Sequence, residues 1–82
     1  MIELKDTIEL MTSNDYKERF KAEYYQARIR YDKLRTMLAK KEAGTLDFKP
    51  SCPLHLLYDQ LGHMRGYISC LEIRAEVEGI KL

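Results

Sequence analysis

Eighty-two residues with 33% charged side chains and a formal net charge of +1 make one small domain, a size that buries only about 60% of the surface its unfolded chain exposes. Two cysteines are too few for a disulfide framework, and no apolar run approaches the roughly 20 residues that cross a bilayer. The N-terminus carries no basic stretch followed by an apolar block, so the expectations are a soluble cytosolic chain, reduced Cys52 and Cys70, and no membrane partner.

In chain order, Met1, Leu4, Ile8 and Met11 fall at helical spacing and predict a short amphipathic helix in an N-terminal extension, residues 1–11. Thr12, Ser13, Asn14 and Asp15 are N-cap residues, and Asp15 followed by Glu18 is similar to a capping box. A long helix is therefore expected over 15–43. Gly44 supplies its left-handed end, and Lys40 and Lys41 suit the negative end of its dipole. Residues 44–52 form the loop, with Phe48 expected to plug the open end of the hairpin. Ser51 as N-cap and Pro53 in the first turn start a second helix, over 53–79.

Both long segments repeat apolar residues by alternate steps of four and three. Phe20, Tyr24, Ala27, Tyr31, Leu34 and Leu38 mark the first, and Leu54, Leu57, Leu61, Met64, Ile68, Leu71 and Ala75 the second. A seven-residue period held this long keeps one stripe on a partner helix. The predicted fold is all-α, a coiled-coil-like antiparallel two-helix hairpin forming a single domain over 1–82. Aligning the stripes sets Leu38 near Leu54, Tyr31 near Leu61 and Phe20 near Leu71.

A second stripe, Gly66, Cys70, Ile73, Val77 and Ile80, lies about 150° or more from the first on the second helix. A helix apolar on two faces is buried on two faces. Either the N-terminal segment, through Leu4, Ile8 and Met11, or another subunit must cover it. The N-terminal stripe offers few large residues, so the expectation is a homo-oligomer with Gly66, Cys70, Ile73, Val77 and Ile80 at the interface.

Charge is uneven along the chain. Residues 16–41 hold nine Lys or Arg against three Asp or Glu, a local excess of six. Lys21, Arg28 and Arg35 form a basic column beside the seam, facing Glu72, Arg65 and Tyr58 of the second helix. Lys21 with Glu72 reads as an ordinary exposed ion pair, whereas Arg28 facing Arg65 opposes like charges. Guanidinium forks with nearby tyrosine faces suit a phosphate and a stacked base. Lys21, Tyr25, Arg28, Arg35, Tyr58 and Arg65 are thus the candidate ligand-binding residues, with solvated arginines as the plainer alternative. Tyr24 and Tyr31 fall on the seam and are expected to be core, leaving Tyr16, Tyr25, Tyr58 and Tyr67 for stacking or for a subunit interface.

No phosphate loop, nucleophile elbow or zinc-protease motif is present, and neither His55 nor His63 has a triad partner. Cys52 with His55 and His63 with Cys70 are separated along one helix and do not converge. A non-enzymatic protein without metal or cofactor is expected. A hairpin of balanced total charge also fits sequence-specific nucleic-acid binding poorly.

The runs Asp15 to Tyr25, Ala43 to Phe48 and Arg74 to Ile80 together resemble a family of short helical proteins of crAss-like and other gut phages, over about residues 12–82. The architecture is similar to that of phage anti-defence sponges, oligomers that trap cyclic nucleotide immune signals between subunits. The resemblance implies a sponge with a cyclic nucleotide held by the basic column in the host cytoplasm. The alternative is a helical interaction module that docks a protein and ignores nucleotides.

Overall fold

The computed structural model describes residues 2–82 and shows an elongated all-helical chain with extents of 43 × 24 × 19 Å. Met1, assigned above to the N-terminal stripe, lies outside the described residues. A 3-10 turn, Leu4–Thr7, leads into a single turn α1, Ile8–Met11, followed by the long helices α2, Tyr16–Ala43, and α3, Leu54–Glu78. Among the described residues there is no strand, and no helix is long and apolar enough to cross a membrane.

Local chemistry sets each boundary. Asp15 is the N-cap of α2, its carboxylate accepting from the Lys17 backbone N–H at 2.9 Å, which satisfies a donor that the first turn leaves orphaned. Pro53 takes the N-cap position of α3, so the helix itself begins at Leu54. Both long helices end on a left-handed glycine, Gly44 at φ 76° and Gly79 at φ 69°. At Gly79 the Ile80 N–H bonds back to the Ala75 carbonyl at 2.8 Å, and Thr45 N–H does the same to Lys40 at 2.9 Å. Two orphan carbonyls are thereby paired in the Schellman pattern, and the residue after each glycine is turned toward its own helix.

α2 and α3 pack against each other through their heptad stripes. Phe20, Leu71, Ala75 and Ile80 form a buried cluster with Tyr24 against it, and Tyr31, Leu38 and Ile68 are buried further along the seam. Phe20 thus meets Leu71, as the aligned stripes place it.

Ile80 corrects the second stripe. It was assigned to a subunit interface on the assumption that α3 continues, but Gly79 ends the helix and swings Ile80 into the intrachain core, 6% exposed. The remaining members, Gly66, Cys70, Ile73 and Val77, are exposed.

The N-terminal segment does not cover them. It lies on the far side of α2, where Thr7 and Ala22 are each 1% exposed and Gln26 donates to the Thr7 hydroxyl at 2.9 Å. The expected stripe of Leu4, Ile8 and Met11 is also out of phase: Ile8 and Met11 are exposed while Leu4, Thr7 and Leu10 turn inward. A 3-10 turn repeats every three residues rather than 3.6, so the inward face steps by three. α2 is consequently the central layer, with α3 on one side and the N-terminal segment on the other.

Candidate functional site

Two features are candidates for a site: a row of polar contacts along the seam and a groove on the far side of α2.

Along the seam, tyrosines reach across to glutamates. Tyr24 donates to Glu72 and Tyr16 to Glu78, both at 2.8 Å; Tyr58 donates to Glu42 at 2.6 Å, and Tyr67 donates to Glu23. Arg74 joins this row, donating to the Tyr16 hydroxyl at 2.7 Å, pairing with Glu78 at 3.1 Å and lying over the Phe20 ring at 4.9 Å. Glu78 is held below its ordinary range, chiefly by the Tyr16 hydrogen bond and also by Arg74. Tyr16 and Tyr58 are pushed up first by their glutamate partners, and Tyr24 first by burial and then by Glu72. Each donor favours its own protonated form and its partner's charged form.

These contacts rearrange the basic column. Glu72 is taken by Tyr24, and among the described residues it makes no ion pair with Lys21. Tyr58 is held by Glu42, and Arg35 is exposed. Arg28 and Arg65 do approach a common point, but Tyr31 stands between them. Arg65 Nε donates to the Tyr31 hydroxyl at 3.2 Å, and the Arg28 guanidinium lies 5.9 Å from the ring centroid. An acceptor oxygen for one cation and a π face for the other ease the opposition of like charges.

The groove has a volume of about 840 Å³ and runs along the α2 face turned away from α3. The N-terminal Ile2 and Glu3 line it, and residues 45–48 of the loop fold back to form a wall. Phe48 belongs to that wall and is 54% exposed. The expected plug over the open end of the hairpin is therefore corrected, since Gly44 reverses the chain along α2 instead of across the seam. Of the six candidate ligand residues, the groove gathers Tyr25 and Arg28. Lys21, Arg35, Tyr58 and Arg65 are not in its lining.

Apolar surface comes from Ile29, Met37, Leu46 and Phe48, with Tyr25 edge-on to Tyr24 at 5.6 Å between centroids. Arg28, Lys33 and Lys40 supply positive charge, about one and a half and two turns apart along the helix. Among the described residues Lys33 and Lys40 make no ion pair, while Arg28 pairs with Asp32 at 3.5 Å. That pair uses one oxygen of Asp32. The other, Oδ1, is buried and meets no hydrogen-bond donor among the described residues, and an unpaired buried acceptor costs roughly 1–3 kcal/mol. Sequence reasoning missed Asp32, Lys33, Lys40 and Phe48 as a set, because it read α2 for its seam with the second helix and the basic column beside it, and not for the opposite face. The signal was present in Ala22, Ile29 and Met37, a sparse apolar line on that face.

Among the described residues no cluster of three or more His, Cys, Asp or Glu is placed to hold a metal ion. The groove is an amphipathic concavity that can hold a flat apolar group, an anion and a hydroxyl at once. No curated protein and no solved structure matches the chain. The Sequestin family model does match it, over residues 14–77, from the cap of α2 to the last turn of α3. With that match over most of its length, the chain belongs to the Sequestin family.

Proposed function

We propose that this protein is a non-enzymatic sponge that sequesters a cyclic nucleotide-type immune signal, working as a homo-oligomer in the cytoplasm of a phage-infected cell. The family name speaks of sequestration. The observation that carries the reading is the composition of the α2 groove, which offers one partner for each part of a nucleotide. Arg28, Lys33 and Lys40 face phosphates, and Tyr25 and Phe48 offer rings to a base. Asp32, half exposed in the groove lining, offers its outward oxygen Oδ2, beside Arg28, to a ribose hydroxyl, the role a carboxylate plays in dinucleotide sites.

The ligand sits within one chain in this reading, and not across subunits on the Lys21, Arg28, Arg35 column. Arg65 and Tyr58 are held by Tyr31 and Glu42 and serve the hairpin. A volume of about 840 Å³ lies within the usual range for small-molecule sites.

The second reading, a protein-docking module, is favoured by exposed Ile73 and Val77 on α3. Native mass spectrometry of protein purified from cells producing a nucleotide immune signal separates the two. A co-purified mass released as a nucleotide supports the sponge; a bound polypeptide with no small molecule supports the module.

A further inference from the structure

The outer face of α3 presents Gly62, Gly66, Cys70, Ile73 and Val77. Ile73 is 62% and Val77 81% exposed, and a Cβ built on either glycine meets nothing within 4 Å. The N-terminal segment packs on the far side of α2, so no other apolar element of the described chain is available to cover this face.

We propose that a second copy of the chain docks here, α3 antiparallel on α3, about a two-fold axis that passes between Ser69 and Cys70. Self-complementarity of the face identifies the occupant. At about 100° per residue the five positions fall within a strip some 80° wide. In the antiparallel register Ile73 lies opposite the partner's Gly66, and Val77 lies opposite the partner's Gly62. The large half of each face fills the flat half of the other, and the two-fold axis repeats the match. Glycines at the contact let the axes approach to about 8 Å.

Charge agrees with the same register. Arg65, held through Nε by Tyr31, and Glu76 flank one edge of the strip, and among the described residues neither makes an ion pair. The axis sets Arg65 beside the partner's Glu76, twice by symmetry. It also places Cys70 within about one residue's rise, 1.5 Å along the axis, of the partner's Cys70. At close approach that falls inside the span a disulfide bridges. The face is small for an obligate interface, so the dimer forms in about the micromolar range.

The test uses the full chain with Cys52→Ser, leaving Cys70 as its one thiol. At about 100 µM, well above such a dissociation constant, the native mass is expected to be twice the chain's 9.7 kDa. Mild oxidation is expected to join most of the protein through Cys70. Gly66→Gln and Val77→Lys, each separately, are expected to return the mass to one chain and lower the cross-linked fraction at least tenfold. Helicity by circular dichroism checks that each variant stays folded; glutamine is the better helix former than glycine. The dimer rests on the homo-oligomer of the proposed function, but because the groove lies beyond α2 neither variant is expected to change nucleotide binding, so failure of the dimer and failure of the groove are read separately. A single-chain mass at every concentration, a dimer that resists Cys70 cross-linking, or a dimer mass that survives both substitutions overturns the proposal.

Discussion

Arg65 Nε donates a hydrogen bond to the Tyr31 hydroxyl at 3.2 Å, joining the middle of α3 to a residue only 7% exposed on α2. Without that oxygen, Arg65 would have no acceptor between it and Arg28, which lies over the Tyr31 ring. Tyr31→Phe keeps the packing and removes the acceptor, so it is expected to lower stability by about 1 kcal/mol, the usual worth of one such bond. Urea denaturation of Tyr31→Phe, Arg65→Ala and the double variant checks this. The double variant should cost less than the two singles added together, because both remove one contact.

The C-terminal turn supplies a sharper contrast between neighbours. Ile80 is 6% exposed in the Phe20, Leu71 and Ala75 cluster, whereas Val77, one turn earlier, is 81% exposed. Ile80→Ala is expected to destabilise by about 2 kcal/mol, the low end for a core deletion, since the site lies near the chain end. Val77→Ala measured in dilute protein is expected to change stability by less than about 0.5 kcal/mol. Thermal melts at low concentration read both. Equal losses at the two positions would mean that Ile80 remains on the outer stripe.

The tyrosine and glutamate pairs make stability fall at both ends of the pH scale. Glu78 has a folded-state pKa below its ordinary value, so its contribution is complete above the unfolded carboxylate range and disappears as pH falls through the lowered value. Tyr16, Tyr24 and Tyr58 are raised, so theirs is complete below the ordinary tyrosine pKa of about 10 and is lost as pH rises through the raised values. Melting temperatures from pH 3 to 11 should show a plateau between these limits. Tyr16→Phe, which removes the Glu78 donor, should flatten both flanks, and an unchanged profile would refute the assignment.

On the other side of α2, Gln26 holds the N-terminal segment through the Thr7 hydroxyl, buried at 1% exposure. Thr7→Val leaves the volume and removes both the acceptor for Gln26 and the donor to the Leu4 carbonyl at 2.7 Å. The expected loss is about 1–3 kcal/mol for the two bonds, and amide exchange should quicken in residues 2–11 without quickening in the α2 and α3 seam. Uniform acceleration would argue that the segment is integral to the hairpin core.

What the sequence made legible was the seam. Phe20, Tyr31, Leu38, Ile68, Leu71 and Ala75 repeat at heptad spacing, and a period of that length has one physical solution, a helix facing a helix. Gly44 likewise reads directly as a helix end. Ile80 was misread because the periodicity was continued through Gly79, although a left-handed residue there resets the direction of the chain. The groove was illegible for a different reason. It depends on where residues 45–48 fold back and on a 3-10 turn whose phase differs from an α-helix, and neither is set by a repeat. Arg28 and Tyr25 were found from charge and aromaticity alone. Asp32 was not, because a carboxylate four residues from an arginine looks like an ordinary helix ion pair until one of its oxygens is seen buried and without a donor.

Titration calorimetry against cyclic dinucleotides and cyclic ADP-ribose isomers tests the central claim most directly. The native chain is expected to bind at least one of them. Arg28→Ala and Lys33→Ala should each weaken that binding tenfold or more, as expected for loss of a charged hydrogen bond worth about 1.5–3 kcal/mol, while Arg35→Ala, outside the groove, should leave it unchanged. Absence of heat with every ligand, or affinity that survives Arg28→Ala combined with Lys33→Ala, would contradict the account.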